Sequence, residues 1–146
     1  MGERGFTLIE LVTVLIIAGI LAALILPRFM ESGGYSANAA QGDVIAAAQY
    51  ARQLALLGNG NTTLSVQGGS VTVQSNGQEL PAPGGSGYPI AIPATAQAGA
   101  NITFTSATGS VGNATQTSGI TLTDSGGESR VACISPTGLA YAGPCS

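Results

Sequence analysis

From Phe6 to Leu26 the chain reads FTLIELVTVLIIAGILAALIL, an apolar run broken by one charged residue, Glu10. At helical rise the run spans about 31 Å, close to the hydrocarbon thickness of a bilayer. A cleavable secretory signal would show a basic start, a shorter apolar core and a small-residue cleavage site. Here only Met1–Gly5 precede the run, and the Met1 amine and Arg4 outweigh Glu3. That balance keeps the short N-terminal piece cytoplasmic and exports the C-terminal domain. The first expectation is therefore a single-pass anchor over residues 6–30. Glu10 does not fit it. An unpaired carboxylate in hydrocarbon is costly, so Glu10 is an accident, an interfacial residue or half of a pair. About one turn from the interface, it can snorkel to water while the segment is in a membrane.

Composition narrows the function of the remainder. Charged residues make up 8% of the chain, with Lys and Arg together 4, no His and a net charge of −3. Beyond residue 30 the cations are Arg52 and Arg130, far too few to follow a phosphate backbone, so nucleic acid is not an expected partner. Without His or Lys a general base would have to be a perturbed carboxylate, and the acidic residues form no local catalytic pair. The expectation is a non-enzyme that needs no cofactor. Asp124 and Glu128 are the single local acidic pair, too few ligands for a metal site. Residues 31–146 are rich in Gly, Ser, Thr, Asn and Gln, as in a small β-rich extracellular domain. The two cysteines, Cys133 and Cys145, are either independent buried thiols or, in an oxidising compartment, a disulfide.

Periodicity supplies the outline of the exported part. From Asp43 to Leu57 the pattern is helical, with Val44, Ala47, Ala48, Ala51 and Ala55 on one face. Asp43, Gln49, Arg52 and Gln53 lie away from that face. Gly58, Asn59 and Gly60 end the helix, and Gly33 and Gly34 are points of irregularity before it. LSVQGGSVTVQ predicts a hairpin turning at Gly68-Gly69, with Val66 opposite Val71 and Leu64 opposite Val73. Further strands are expected at NITFT (Ile102 and Phe104 inward), GITLT (Ile120 and Leu122 inward) and RVACI. Pro81, Pro83, Pro89 and Pro93, with Gly84, Gly85 and Gly87, predict an extended connection, and residues 109–118 a polar exposed loop. At the C-terminus a hairpin turning at Pro136-Thr137 would place Cys133 opposite Ala140. The sequons at Asn61, Asn101 and Asn113 are compositional in a chain this rich in Asn and Thr.

GFTLIE followed by the apolar run and Pro27 resembles the class III leader of type IV pilins and of the pseudopilins of type II secretion. The resemblance implies an α+β fold: a long N-terminal helix packed against an antiparallel sheet, its first half membrane-spanning. It implies a leader over residues 1–5, cut between Gly5 and Phe6 by a prepilin peptidase, and N-methylation of Phe6. Residues 6–30 would form the transmembrane and filament-core helix, and residues 31–146 the exported head, helical to about residue 57. Cleavage creates an α-amine with a reference pKa near 8. In a filament with axially staggered helices, Glu10 of one subunit can meet the Phe6 amine of a neighbour. Such a pair is a register device rather than a strong glue. Gly19 and Pro27 mark a kink candidate, since Pro27 lacks a donor and crowds the preceding turn. In assembled pili of this family the segment between them is often locally unwound. Many type IV pilins fasten the C-terminal region with a disulfide, which favours a Cys133–Cys145 bridge. Implied partners are other pilin subunits, the peptidase, an inner-membrane assembly platform and membrane lipid before assembly. The implied location is the bacterial inner membrane, then a surface pilus or periplasmic pseudopilus.

Within this class the long helix and β-rich remainder are similar to minor pilins of mannose-sensitive haemagglutinin type, serving adhesion and pilus biogenesis, and alternatively to minor pseudopilins of type II secretion. A DNA-uptake pilin would need more Arg or Lys than the head holds. An unassembled membrane-anchored adhesin would leave Glu10 without a purpose.

Overall fold

The computed structural model describes residues 7–30, 33–58, 60–83 and 87–146, with side chains described from 7–21 and from 35 onward. Two units divide the chain, Met1–Ser32 and Gly33–Ser146.

The first unit holds α1, Leu8–Met30. Thr7 caps it: the Glu10 amide lies 3.4 Å from Thr7 Oγ1, and the Leu11 amide donates to the Thr7 carbonyl at 3.2 Å. A threonine at this position satisfies amides that the first helical turn leaves unpaired. Helical backbone continues through Gly19 and past Pro27 to Met30. From Leu8 to Leu21 every described side chain is exposed on all sides of the helix. Among the described residues, no helix is long and apolar enough to cross a membrane. Side chains of α1 are described only as far as Leu21, so the membrane-length property belongs to the sequence of the whole run.

The second unit is the head. Its helix α2, Gly33–Leu56, buries a stripe of small residues. Ala37, Ala40, Val44, Ala48, Ala51 and Ala55 are fully covered, with Ala47 nearly so. Alanine at these spacings lets strands approach the helix backbone closely, and it carries the highest helix propensity. Gly58, at φ +84°, stops the helix in a conformation that favours glycine.

Two antiparallel sheets share α2 as their common support. The first contains β1 (Thr62–Gln67), β2 (Ser70–Ser75), β3 (Gln78–Glu79), β4 (Ile90–Ala91) and β6 (Ala100–Phe104). Its order is β3-β2-β1-β6, with β4 also pairing β2. The second is ordered β5-β7-β8-β9, with β5 Thr95–Ala96, β7 Ser118–Thr123, β8 Ser129–Ile134 and β9 Ala140–Ala142. The β1–β2 hairpin has the register expected from its pattern, Val66 opposite Val71 and Leu64 opposite Val73. All four are buried, and Ile102, Phe104, Ile120 and Leu122 join them in the core. Polar clasps fix the helix on the sheets. Gln41 Nε2 donates to the Val131 carbonyl at 2.6 Å, and Arg130 Nε donates to Asn38 Oδ1 at 2.9 Å.

The structure corrects several expectations. The proline-rich stretch is no plain extended connection, because β4 lies within it and β3 and β5 flank it, short edge strands for both sheets. Proline tolerates sheet edges, where a missing donor removes no central ladder bond. The 109–118 loop is only partly exposed: Gly109 and Val111 are buried, and Val111 bridges to Phe104. At the C-terminal hairpin, Cys133 pairs with Tyr141, while Ala140 stands opposite Ile134. The loop is one residue longer than a Pro136-Thr137 turn. Gly138, at φ +81°, donates its amide to the Ser135 carbonyl at 2.9 Å and sits in the turn as a third loop residue. That residue shifts the register by one and turns Leu139 outward. Arg52 also departs from the exposed helix face assigned to it, being half-buried beside Gly109 and Gly138.

Candidate assembly site

Residues with a sequence-level role fall in two separate places, one in each unit. In the first, Gly5 and Phe6 lie outside the described residues, and Glu10 occupies the first turn of α1. Thr7-Leu8-Ile9-Glu10 has the spacing of a capping box, with the threonine half of the arrangement formed. An acidic group in the first turn also complements the positive end of the helix dipole. This local role was missed in the sequence, although TLIE carried its signal. Glu10 is thus a helix-starting residue in the single chain, whatever it meets in an assembly. Gly19 lies within α1 with open space around the position a Cβ would take. Pro27 lies within α1, and its side chain is outside the described set.

In the second place, Cys133 and Cys145 are joined by a disulfide, with their Cα atoms 5.4 Å apart. Cys133 is buried on β8, and Gly119 of β7 stands opposite it in register. A Cβ at Gly119 would come within 3.0 Å of Cys145 Sγ, so the glycine makes the space in which the bridge lies against the sheet. The Thr117 hydroxyl donates to the Ser146 carbonyl at 2.9 Å and helps hold the terminal residues. Replacing both cysteines by serine should lower head stability by about 2–3 kcal/mol, the loop-entropy value for a separation of 12 residues. Denaturant unfolding of the full chain in detergent, with membrane insertion followed in parallel, checks this. Unchanged stability would remove the bridge from the stabilising contacts.

One tyrosine pair shapes the flank of the head between α2 and β4. The Tyr50 hydroxyl donates to the Pro81 carbonyl at 2.9 Å, and its ring stacks on Tyr88 with centroids 6.4 Å apart. Tyr88 precedes Pro89 across a cis peptide bond. Burial, and then the neighbouring Tyr50, push the Tyr88 phenol up from 10.0 to about 12. The folded state therefore holds this proton more tightly than the unfolded chain. Its contribution to stability is complete below pH 10 and drains as pH rises toward about 12. Head stability should fall across that window, and Tyr88→Phe should flatten the slope in denaturant unfolding measured at each pH.

No group of three or more His, Cys, Asp or Glu side chains that could hold a metal ion occurs among the described residues. The distinctive features are a helix with an exposed apolar surface and a β-rich head pinned by a disulfide.

Comparison with known proteins accounts for both. Residues 1–26 match the prokaryotic N-terminal methylation motif. Residues 40–138, most of the chain, match the family described as type II transport protein GspH. The chain belongs to the GspH family. A search among curated proteins gives no significant match. Among solved structures, the chain is similar to the type IV minor pilin FimU of Pseudomonas aeruginosa in its P65 crystal form. The TM-score is 0.52 at 22% identity, covering 73% of this chain and 92% of FimU. The P21 crystal form of FimU gives the same TM-score and identity, with 74% and 88% covered. At that identity the likeness shows the fold, a type IV pilin fold of N-terminal helix and antiparallel head. A methylation-type N-terminus joined to a GspH-family head makes this chain a subunit of the minor pilin and pseudopilin class. Proteins of that class are structural.

Proposed function

We propose that this chain is a minor subunit of a type IV pilus-type filament, assembled through α1 and serving adhesion or pilus biogenesis rather than catalysis. The observation that carries the reading is one chain joining a methylation motif at residues 1–26 to a GspH-family head at residues 40–138. α1 supports it physically: an apolar surface on every side is stable only against lipid or against other apolar helices. In this reading a prepilin peptidase cuts between Gly5 and Phe6, and the new Phe6 amine is methylated. Residues 6–30 then hold the subunit in the inner membrane, with residues 31–146 exported. An assembly platform draws it from lipid into a filament of pilin subunits. Glu10 pairs there with the Phe6 amine of a neighbour, and bending near Gly19 and Pro27 accommodates the helix in the bundle.

A second reading, a minor pseudopilin of type II secretion, is favoured by the family's own description as a type II transport protein. Deletion of the gene separates the two: loss of surface filaments supports the pilus, and loss of protein secretion with intact filaments supports the pseudopilus.

Processing tests what the two readings share. Intact-mass measurement of protein from its native membrane should show loss of Met1–Gly5 and gain of one methyl group. Gly5→Leu should retain the full leader, because a bulky residue cannot take the place of glycine beside the cut bond. A mature chain still carrying Met1, in cells that process other prepilins, would overturn both.

A further inference from the structure

One flank of α2 carries Asp43, Ala46, Ala47 and Tyr50, at the spacings that bring side chains to one side of a helix. Facing it are Pro83, Tyr88 and, from β4, Ile90. Between them these residues, without Tyr50, enclose a hollow of about 160 Å³. The two alanines make the space, since a longer side chain there would reach across it. Tyr50 fixes the aromatic wall: its ring stacks on Tyr88, and its hydroxyl donates to the Pro81 carbonyl.

Size and chemistry restrict what can enter. At about 30 Å³ per water the hollow has room for roughly five waters. Drug-sized pockets start at about 300 Å³, so the occupant is a small group. Asp43 and the Tyr88 phenol supply the polar side-chain atoms of the lining, and the other walls are apolar. Asp43 is exposed, and among the described residues it has no hydrogen bond or ion pair. The head's two arginines are placed elsewhere: Arg130 contacts Asn38 and Glu128, and Arg52 is closed over by Gly109 and Gly138.

An anion entering the hollow would meet the Asp43 carboxylate. A hard metal ion would find too few oxygens. A lysine-type ammonium would bring three donors to a site with one carboxylate to accept them. A quaternary ammonium fits all three walls: it has a positive charge for Asp43, no N–H to satisfy, and methyl groups for the apolar surfaces. Its charge is also attracted to an aromatic ring.

We propose that this hollow binds a quaternary ammonium group such as that of choline. Asp43 balances its charge, the Tyr88 ring contacts its methyls, and Ala46, Ala47 and Ile90 cover the rest. The site lies wholly within the head and goes beyond the filament reading, on which it does not depend.

The test titrates choline into the full chain in maltoside micelles at constant ionic strength, with Tyr88 and the Ala46 and Ala47 methyls followed by NMR. Saturable shifts of these residues are expected, with the neutral tert-butyl analogue of choline binding about tenfold more weakly. Asp43→Asn should weaken choline binding about tenfold and leave the neutral analogue unaffected. Ala46→Leu should fill the hollow and abolish both. Tyr88→Phe keeps the ring face and should bind within about twofold of wild type. Glu79→Gln removes an exposed carboxylate outside the hollow and should change nothing. Asp43 lies on the exposed side of α2, so Asp43→Asn reads binding without disturbing the fold. Equal affinity for choline and its neutral analogue, wild-type binding by Asp43→Asn, or the absence of shifts at Tyr88 would overturn the proposal. A second arm identifies the carrier of the group, using bilayers of phosphatidylglycerol with and without phosphatidylcholine. The same shifts in the mixed bilayer alone assign a lipid headgroup as the occupant. Shifts only on adding choline assign a soluble compound, and shifts in neither case would again overturn the site.

Discussion

Glu10→Gln protein is expected to be cleaved, inserted and folded, yet almost absent from sheared filaments. Two explanations of Glu10 compete, and this substitution separates them. As the fourth residue of Thr7-Leu8-Ile9-Glu10 it supports the start of α1, where the Thr7 cap is formed. Glutamine serves a capping box nearly as well as glutamate, so a purely local role predicts little change. Pairing with the Phe6 amine of a neighbour needs the negative charge. Removing it leaves an ammonium uncompensated in an apolar bundle, at a cost of about 3–5 kcal/mol. At about 1.4 kcal/mol per tenfold, that lowers incorporation by at least about a hundredfold. Glu10→Leu should assemble as poorly while partitioning better into lipid. Glu10→Asp should be intermediate, since the charge survives with shorter reach. Incorporation of Glu10→Gln at the wild-type level, in the same preparation, would leave helix capping as the residue's role.

The second large effect lies in the head, at Gly138. Gly127 and Gly138 share nearly the same backbone, at φ +85° and +81°. Their surroundings differ. A Cβ at Gly127 meets nothing within 4 Å, whereas at Gly138 it collides with the Gly109 carbonyl oxygen and comes within 3.1 Å of Arg52 Cδ. Gly127→Ala should therefore cost only the left-handed strain, about 1–2 kcal/mol. Gly138→Ala adds overpacking against rigid backbone, about 1–3 kcal/mol more, for a total of up to about 5 kcal/mol. Against the usual 5–15 kcal/mol of a domain, that is enough to leave much of the head unfolded at growth temperature. Denaturant midpoints of the two alanine variants provide the measurement. Equal midpoints would mean that the 109 loop yields, and that the β8–β9 turn is not clamped by it.

Read residue by residue, the chain announced its helices and its first hairpin. The apolar run from Phe6, the alanine stripe of α2 and the alternation about Gly68-Gly69 are all short-range patterns. A period of 3.6 or 2 shows itself within a few residues. The family likeness was equally local, since GFTLIE lies within the matched methylation motif. Glu10 stood out for the same reason, as one charge where its neighbours forbid one.

Tertiary structure decided what depends on chain segments meeting from afar. The β1–β6 pairing sets Leu64 beside Ile102, and β5 leaves the proline-rich stretch to join β7. No local pattern says which edge a short strand will reach. The β8–β9 register turned on one glycine in a left-handed conformation, and a one-residue difference there reversed which side chains face the core. Arg52 read as a surface residue because helical phase places it beside the stripe. Its burial came from Gly109 and Gly138, residues far along the chain that close over it. Sequence thus determined the parts whose energetics are settled within a turn or a hairpin. Only the folded chain could decide those set by which distant surfaces exclude water from one another.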